Sequence, residues 1–196
     1  MKKNILFVAP LLALLAFPCF ADSLEFTKKA AELGDAKAQH TIGYIYEYGK
    51  GLPKNQSEAA KWYTKAAEQG FAEAQNNLGF MYANGNGVIK DPTQAMKWYG
   101  KAAEQGLPAA QYNFGVMHTN SQAAPADYVK AYMWANLAAA KNNKNAIKMR
   151  TMLEKNLKKE QIEEGQRLSN EWLEKHPEKP TGKDENKAEE IPTDKK

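Results

Sequence analysis

The chain has 196 residues, 26% of them charged, and its 27 Lys and Arg against 23 Asp and Glu give a formal net charge of +4. So small an excess, with both signs interspersed, forms no basic stripe and argues against nucleic acid as a partner. The three histidines, His40, His118 and His176, offer no pair at metal-ligand spacing on one helix, so neither a metal nor a cofactor is expected.

The first segment reads MKKNILFVAPLLALLAFPCFADS. Lys2 and Lys3 precede an apolar run from Ile5 to Phe17 that Pro10 interrupts, and Cys19 and Ala21 place small residues at the minus-three and minus-one positions of a cleavage site. This pattern predicts a signal peptide over residues 1–21. The run is too short to span a bilayer comfortably, so no stable membrane insertion is expected after cleavage. A lipid on Cys19 is the rival outcome, but Ala16-Phe17-Pro18 before it is a poor match to the small residues that lipoprotein processing prefers. The mature chain would then run from Asp22 to Lys196 as a cysteine-free periplasmic monomer, with secretion as the alternative. Without disulfides it must be stable through packing alone.

A short helix is predicted over residues 23–33, and after it the chain repeats itself. Residues 61–75 read KWYTKAAEQGFAEAQ and residues 97–111 read KWYGKAAEQGLPAAQ, identical at eleven of fifteen positions. The 36-residue step extends to Gly34, Gly70 and Gly106, to Gln39, Gln75 and Gln111, to Gly43, Gly79 and Gly115, and to Trp62, Trp98 and Trp134. Such a period signals a solenoid of stacked units. Each unit reads as two helices. The first runs from Ala36 to about Tyr48, then GKGLPKN breaks it, and the second starts near Gln56. Asn55, Asp91 and Asp127 are the N-caps of the second helices, Glu58 has capping-box spacing from Asn55, and Pro92 and Pro108 fit first helical positions. Gly70 and Gly106 close second helices through a left-handed backbone. Gly70→Ala should therefore destabilise the fold, whereas Gly100 lies inside a helix and its replacement by alanine should stabilise it. The alanine pairs 66–67, 102–103 and 138–139 let helices approach, and the tryptophans fill the wider gaps.

Phe26 and Ala30-Ala31 stand one step before Trp62 and Ala66-Ala67, so the helix over 23–33 is a lone second helix. Beyond the third unit, Ala146 continues the series, and residues 159–176 form an amphipathic helix with Ile162, Leu168, Trp172 and Leu173 available to cap the stack. The expectation is nine helices, one followed by four pairs, over residues 22–176. Residues 177–196, with three prolines, alternating charge and Ile191 as the one aliphatic besides an alanine, are predicted to be a disordered tail.

The order AQ, LG, MY, GNGV, aspartate, WY, AAEQG across residues 30–141 resembles the Sel-like repeat family, relatives of the tetratricopeptide repeat. The resemblance implies an all-α, right-handed α/α superhelical solenoid whose concave face binds a protein or peptide. Exported bacterial members are linked to envelope assembly, signalling or host contact. The third unit departs from the pattern, with His118 in place of Tyr46 and Tyr82 and NSQAA in place of the glycine loop.

No catalytic residues are predicted. Once Cys19 is removed there is no thiol nucleophile. No serine is followed by a lysine three residues on, which removes the pairing of penicillin-interacting enzymes. Some cysteine-rich relatives are associated with β-lactam binding, but this chain lacks their cysteines. A cell-wall-active or β-lactam-binding protein and a secreted host-interaction factor are the alternatives to an interaction scaffold. The candidate partner-binding residues lie on the first helices. They are Lys37, His40, Tyr44 and Tyr48 in the first unit, Glu73, Asn76 and Phe80 in the second, and Tyr112 and Val116 in the third. These stripes either face a groove or pack one unit on the next.

Overall fold

The computed structural model describes residues 18–120 and 122–177. The predicted signal peptide, up to residue 17, and all of the predicted tail after Pro177 lie outside the described residues. Among the described residues there are nine helices and no strand. They are α1 (Pro18–Glu32), α2 (Ala36–Tyr48), α3 (Gln56–Glu68), α4 (Ala72–Asn84), α5 (Pro92–Glu104), α6 (Pro108–Thr119), α7 (Tyr128–Ala140), α8 (Lys144–Asn156) and α9 (Lys159–Lys175). The chain is a right-handed α/α superhelical solenoid in which α2–α3, α4–α5 and α6–α7 are the repeating pairs.

The caps follow from side-chain chemistry. Asn55, Asp91 and Asp127 accept backbone N–H groups of the first turns of α3, α5 and α7 at 2.9–3.1 Å, satisfying donors with no intrahelical partner. The capping box at Asn55 is not completed, because the Asn55 N–H already donates to the Tyr46 carbonyl, and the Glu58 carboxylate pairs with the Lys61 ammonium at 2.6 Å. Gly70 and Gly106 have φ of +91° and +80° beyond the ends of α3 and α5. The loop after α6 lacks glycine, yet it closes on the same bond as its counterparts. The Asp127 N–H donates to the His118 carbonyl at 2.8 Å, as Asn55 does to Tyr46 and Asp91 to Tyr82, both at 2.9 Å.

Within a pair, the two helices meet at a glycine. A Cβ on Gly43 would stand 2.7 Å from Cδ1 of Tyr63, and one on Gly79 2.8 Å from Cδ1 of Tyr99. Both tyrosine rings are buried there, and the Tyr63 hydroxyl donates to Glu47 at 2.6 Å. The periodic alanines 59, 66, 67, 95, 102, 103, 131, 138 and 139 are all buried. The periodic glutamines are glue. Gln39 and Gln75 donate to the carbonyls of Ala31 and Ala67 at 3.1 and 3.0 Å, and accept from Gln69 and Gln105 at 2.7 Å. The aromatic series grows more buried along the stack. Phe26 is 77% exposed, Trp62 half-buried, and Trp98 and Trp134 buried; Trp62 packs on α1 and Trp98 on α3, while Trp134 is also covered by Phe114 and by Trp172 of α9.

The far end departs from the expected fourth pair. α9 packs chiefly on α7 rather than on α8. The reason lies one period on from Ile42, Leu78 and Phe114, from Gly43, Gly79 and Gly115, and from Tyr46, Tyr82 and His118, where α8 carries Arg150, Thr151 and Glu154. That face has neither the apolar surface nor the glycine that a second helix needs. α9 brings its own glycine to α7 instead, since a Cβ on Gly165 would stand 2.6 Å from Cδ1 of Tyr132. Trp172 is buried against Trp134, with ring centroids 6.0 Å apart, and its indole N–H donates to Glu104 at 2.8 Å. Leu173, expected to pack, is 41% exposed.

Candidate functional site

The first helices carry two parallel rows of outward residues, set by the four-residue return of the helix and the 36-residue step of the solenoid. One row is Tyr44, Phe80, Val116 and Met152, a large apolar side chain at the same position in four successive units. Their exposures are 37%, 45%, 37% and 52%. A large apolar residue left open in every unit is not required by packing, since the seats of the core are filled by other positions. The other row is His40, Asn76, Tyr112 and Lys148.

The predicted site residues divide between these roles. Tyr44 and Tyr48 lie together with ring centroids 4.6 Å apart, and the Lys50 ammonium donates to the Tyr44 hydroxyl at 2.8 Å and sits over its ring. With Phe80 and Val116 they are open to solvent, and Lys37 and Glu73 are exposed beside them. His40 and Asn76 are half-buried and hold unit to unit. Asn77 bonds Nε2 of His40 at 3.1 Å, and Asn113 donates to Oδ1 of Asn76 at 2.9 Å. This ladder sets α2, α4 and α6 side by side. Burial holds the His40 imidazole below its ordinary pKa, against the opposing pull of Glu73 and Glu47, so the neutral ring is the form that joins the ladder. Tyr112 is half-buried against the alanines of α7 and α8.

Past the ladder, α6 and α8 part to leave an open cleft of about 290 Å³ lined by Tyr112, Val116, Thr119, Asn145, Lys148, Met149 and Met152. Of these, only Tyr112 and Val116 were among the residues expected from the sequence. The signal was present, because the 36-residue step from Tyr112 and Val116 lands on Lys148 and Met152. His118, which replaces a tyrosine, lies away from the strip, buried with its ring centroid 4.7 Å from that of Phe114. Burial lowers its pKa, Asp127 opposes that shift, and Lys130 adds to it. No group of three or more His, Cys, Asp or Glu that could hold a metal occurs among the described residues.

A family profile for the Sel1 repeat matches residues 22–35, 36–71, 72–107 and 108–143. Over 42 residues the chain is 45% identical to a chitin synthase regulator of Saccharomyces cerevisiae, which is 21% of this chain and only 6% of that regulator. Among solved structures it is similar to a Sel1 repeat protein from Oxalobacter formigenes, at 40% identity and a TM-score of 0.61, covering 66% of this chain and 97% of that one. It is also similar to a protective antigen present in uropathogenic Escherichia coli strains that displays an SLR fold, at 32% identity and a TM-score of 0.52, covering 79% of this chain and 41% of that one.

Proposed function

Because the chain belongs to the Sel1 repeat family, we propose that it is a non-catalytic scaffold that binds a protein or peptide along the strip Tyr44–Phe80–Val116–Met152, in the periplasm after its leader is removed. The observation that carries this reading is the strip itself, one exposed apolar residue repeated at one position through four units. Sel1 repeat proteins typically bind other proteins. Exposed aromatics with polar neighbours such as Lys37, Lys50 and Glu73 are a common way to concentrate binding energy. The leader pattern supports export, and no described helix is long and apolar enough to cross a membrane.

The test is affinity capture from envelope extract, with mass spectrometry comparing the mature chain and its Tyr44→Ala/Phe80→Ala variant. Partners retained by the first and lost by the second, at similar melting temperature, are the expected result. Identical capture by both would remove the strip from the binding surface. N-terminal sequencing should find Asp22, and an intact Met1 or a lipidated Cys19 would overturn the periplasmic assignment.

A further inference from the structure

We infer that the end of this face between α6 and α8 takes an acidic peptide segment, seating an apolar side chain in the cleft and a neighbouring carboxylate on Lys148; the inference rests on the strip being the binding face. The cleft floor is apolar, built from Val116, Met149, Met152 and the ring of Tyr112, and its rim is neutral at Thr119 and Asn145. Lys148 is the one charged residue that lines it. The charge around it is one-sided. Besides Lys148, α8 carries Lys144 and Lys155, while its single acid, Glu154, pairs with Arg150 on the flank toward α7, and α6 carries no acid at all. Glu154 is engaged elsewhere, accepting from the Tyr132 hydroxyl at 3.2 Å and facing Nε of Arg150 at 3.6 Å. The opposite end of the face is mixed, with Lys37 and Lys50 accompanied by Glu47 and Glu73. A partner segment therefore meets neutral-to-mixed charge over α2 and α4 and positive charge at α8.

An ammonium beside an apolar floor favours a carboxylate and rejects a second cation, because a charge-assisted hydrogen bond strengthens where water is partly excluded. Packed helices stand about 8–10 Å apart and an extended chain advances about 3.3 Å per residue. Across the laddered α2, α4 and α6 an extended segment would thus place one anchor roughly every third residue, with a wider step to its acidic end at the cleft before α8.

Panning a phage-displayed library of random 12-residue peptides on the mature chain tests this. The consensus peptide is then synthesised and its affinity measured by fluorescence polarisation. Enriched sequences are expected to place Asp or Glu next to a large apolar residue. Their affinity should fall as salt rises. Lys148→Glu should weaken them by roughly tenfold, and Lys61→Glu on α3 should leave them unchanged. Neutral or basic consensus peptides whose binding still depends on Phe80 would overturn the inference and leave the binding face standing. Peptides indifferent to both Phe80→Ala and Met152→Ala would remove the face as well. Dimerisation of the mature chain that Lys148→Glu abolishes would give the cleft to a second copy and likewise overturn the inference.

Discussion

The units built from α2 to α5 and the end built from α8 and α9 differ in how a second helix finds its seat. In the former, an aromatic ring from the second helix lies on a glycine of the first, Tyr63 on Gly43 and Tyr99 on Gly79. In the latter, the glycine position is Thr151 and its neighbours are Arg150 and Glu154, so α9 turns to Tyr132 on α7. One small residue and two apolar ones per helix thus decide which surface the next helix covers. Where they are missing, the first helix keeps a charged flank, and α8 becomes both the end of the core and the most basic part of the face.

The largest effects should fall on the rings that fill these seats. Tyr99→Ala and Trp172→Ala should each cost about 3–5 kcal/mol in urea melts, whereas Leu173→Ala, 41% exposed on the same α9, should change stability by less than about 0.5 kcal/mol. Similar losses for all three would mean that α9 does not sit on α7 as described. Crowding a seat is the next test. Gly79→Ala should cost about 1–3 kcal/mol, since the Tyr99 ring must move, while Thr151→Ala, exposed on α8, should be neutral or slightly stabilising. Equal responses at the two positions would show that the glycine period has no packing role.

Smaller effects separate glycines kept for backbone from glycines kept for space. Gly70 has φ of +91° and nothing near its missing Cβ, so Gly70→Ala should destabilise by about 1 kcal/mol through backbone strain alone. Gly100→Ala, expected from the sequence to stabilise, meets the Phe114 ring at 3.2 Å. The gain in helix propensity of about 0.5–1 kcal/mol is then largely offset by crowding, and a net change within about 0.5 kcal/mol is expected in the same melts.

His118, which stands where the other units carry tyrosine, should give the chain a weak acid sensitivity. Its folded pKa lies below 6.5 because the ring is buried, so the unfolded chain takes up the proton first. The stability is full above pH 6.5 and declines as the pH falls toward the folded value. His118→Tyr should reduce the drop in melting temperature between pH 7.5 and pH 5.5, and part of the drop should remain because the His40 pKa is lowered too. An unchanged drop would place the sensitivity outside His118.

The period, the caps and the helix bounds from α2 onward were legible because each is written locally, whereas α1, expected over residues 23–33, begins at Pro18. Asn55, Asp91 and Asp127 stand where orphan N–H groups need acceptors, and the 36-residue step locates every pair up to α7. Two things were not legible without geometry. Nothing local distinguishes Trp62 and Trp98 from Tyr63 and Tyr99, yet the tyrosines occupy the tightest seats. Nor does the amphipathic pattern of α9 say which helix it covers. That answer was encoded in what α8 lacks, at Arg150, Thr151 and Glu154. The candidate site was partly legible. Tyr44, Phe80 and Val116 come directly from the period, and Met152 and Lys148 come from extending it one step further. That His40 and Asn76 are tied into a ladder between units follows only from their contacts with Asn77 and Asn113.

Site-specific photo-crosslinking locates the binding face without altering the fold. A benzoyl-phenylalanine placed singly at Phe80 or Met152 should crosslink the same partner in envelope extract, while one at Lys61 or Lys97, exposed on α3 and α5, should capture none. Crosslinks from Lys61 and Lys97, with none from the strip, would place the partner on the second helices instead.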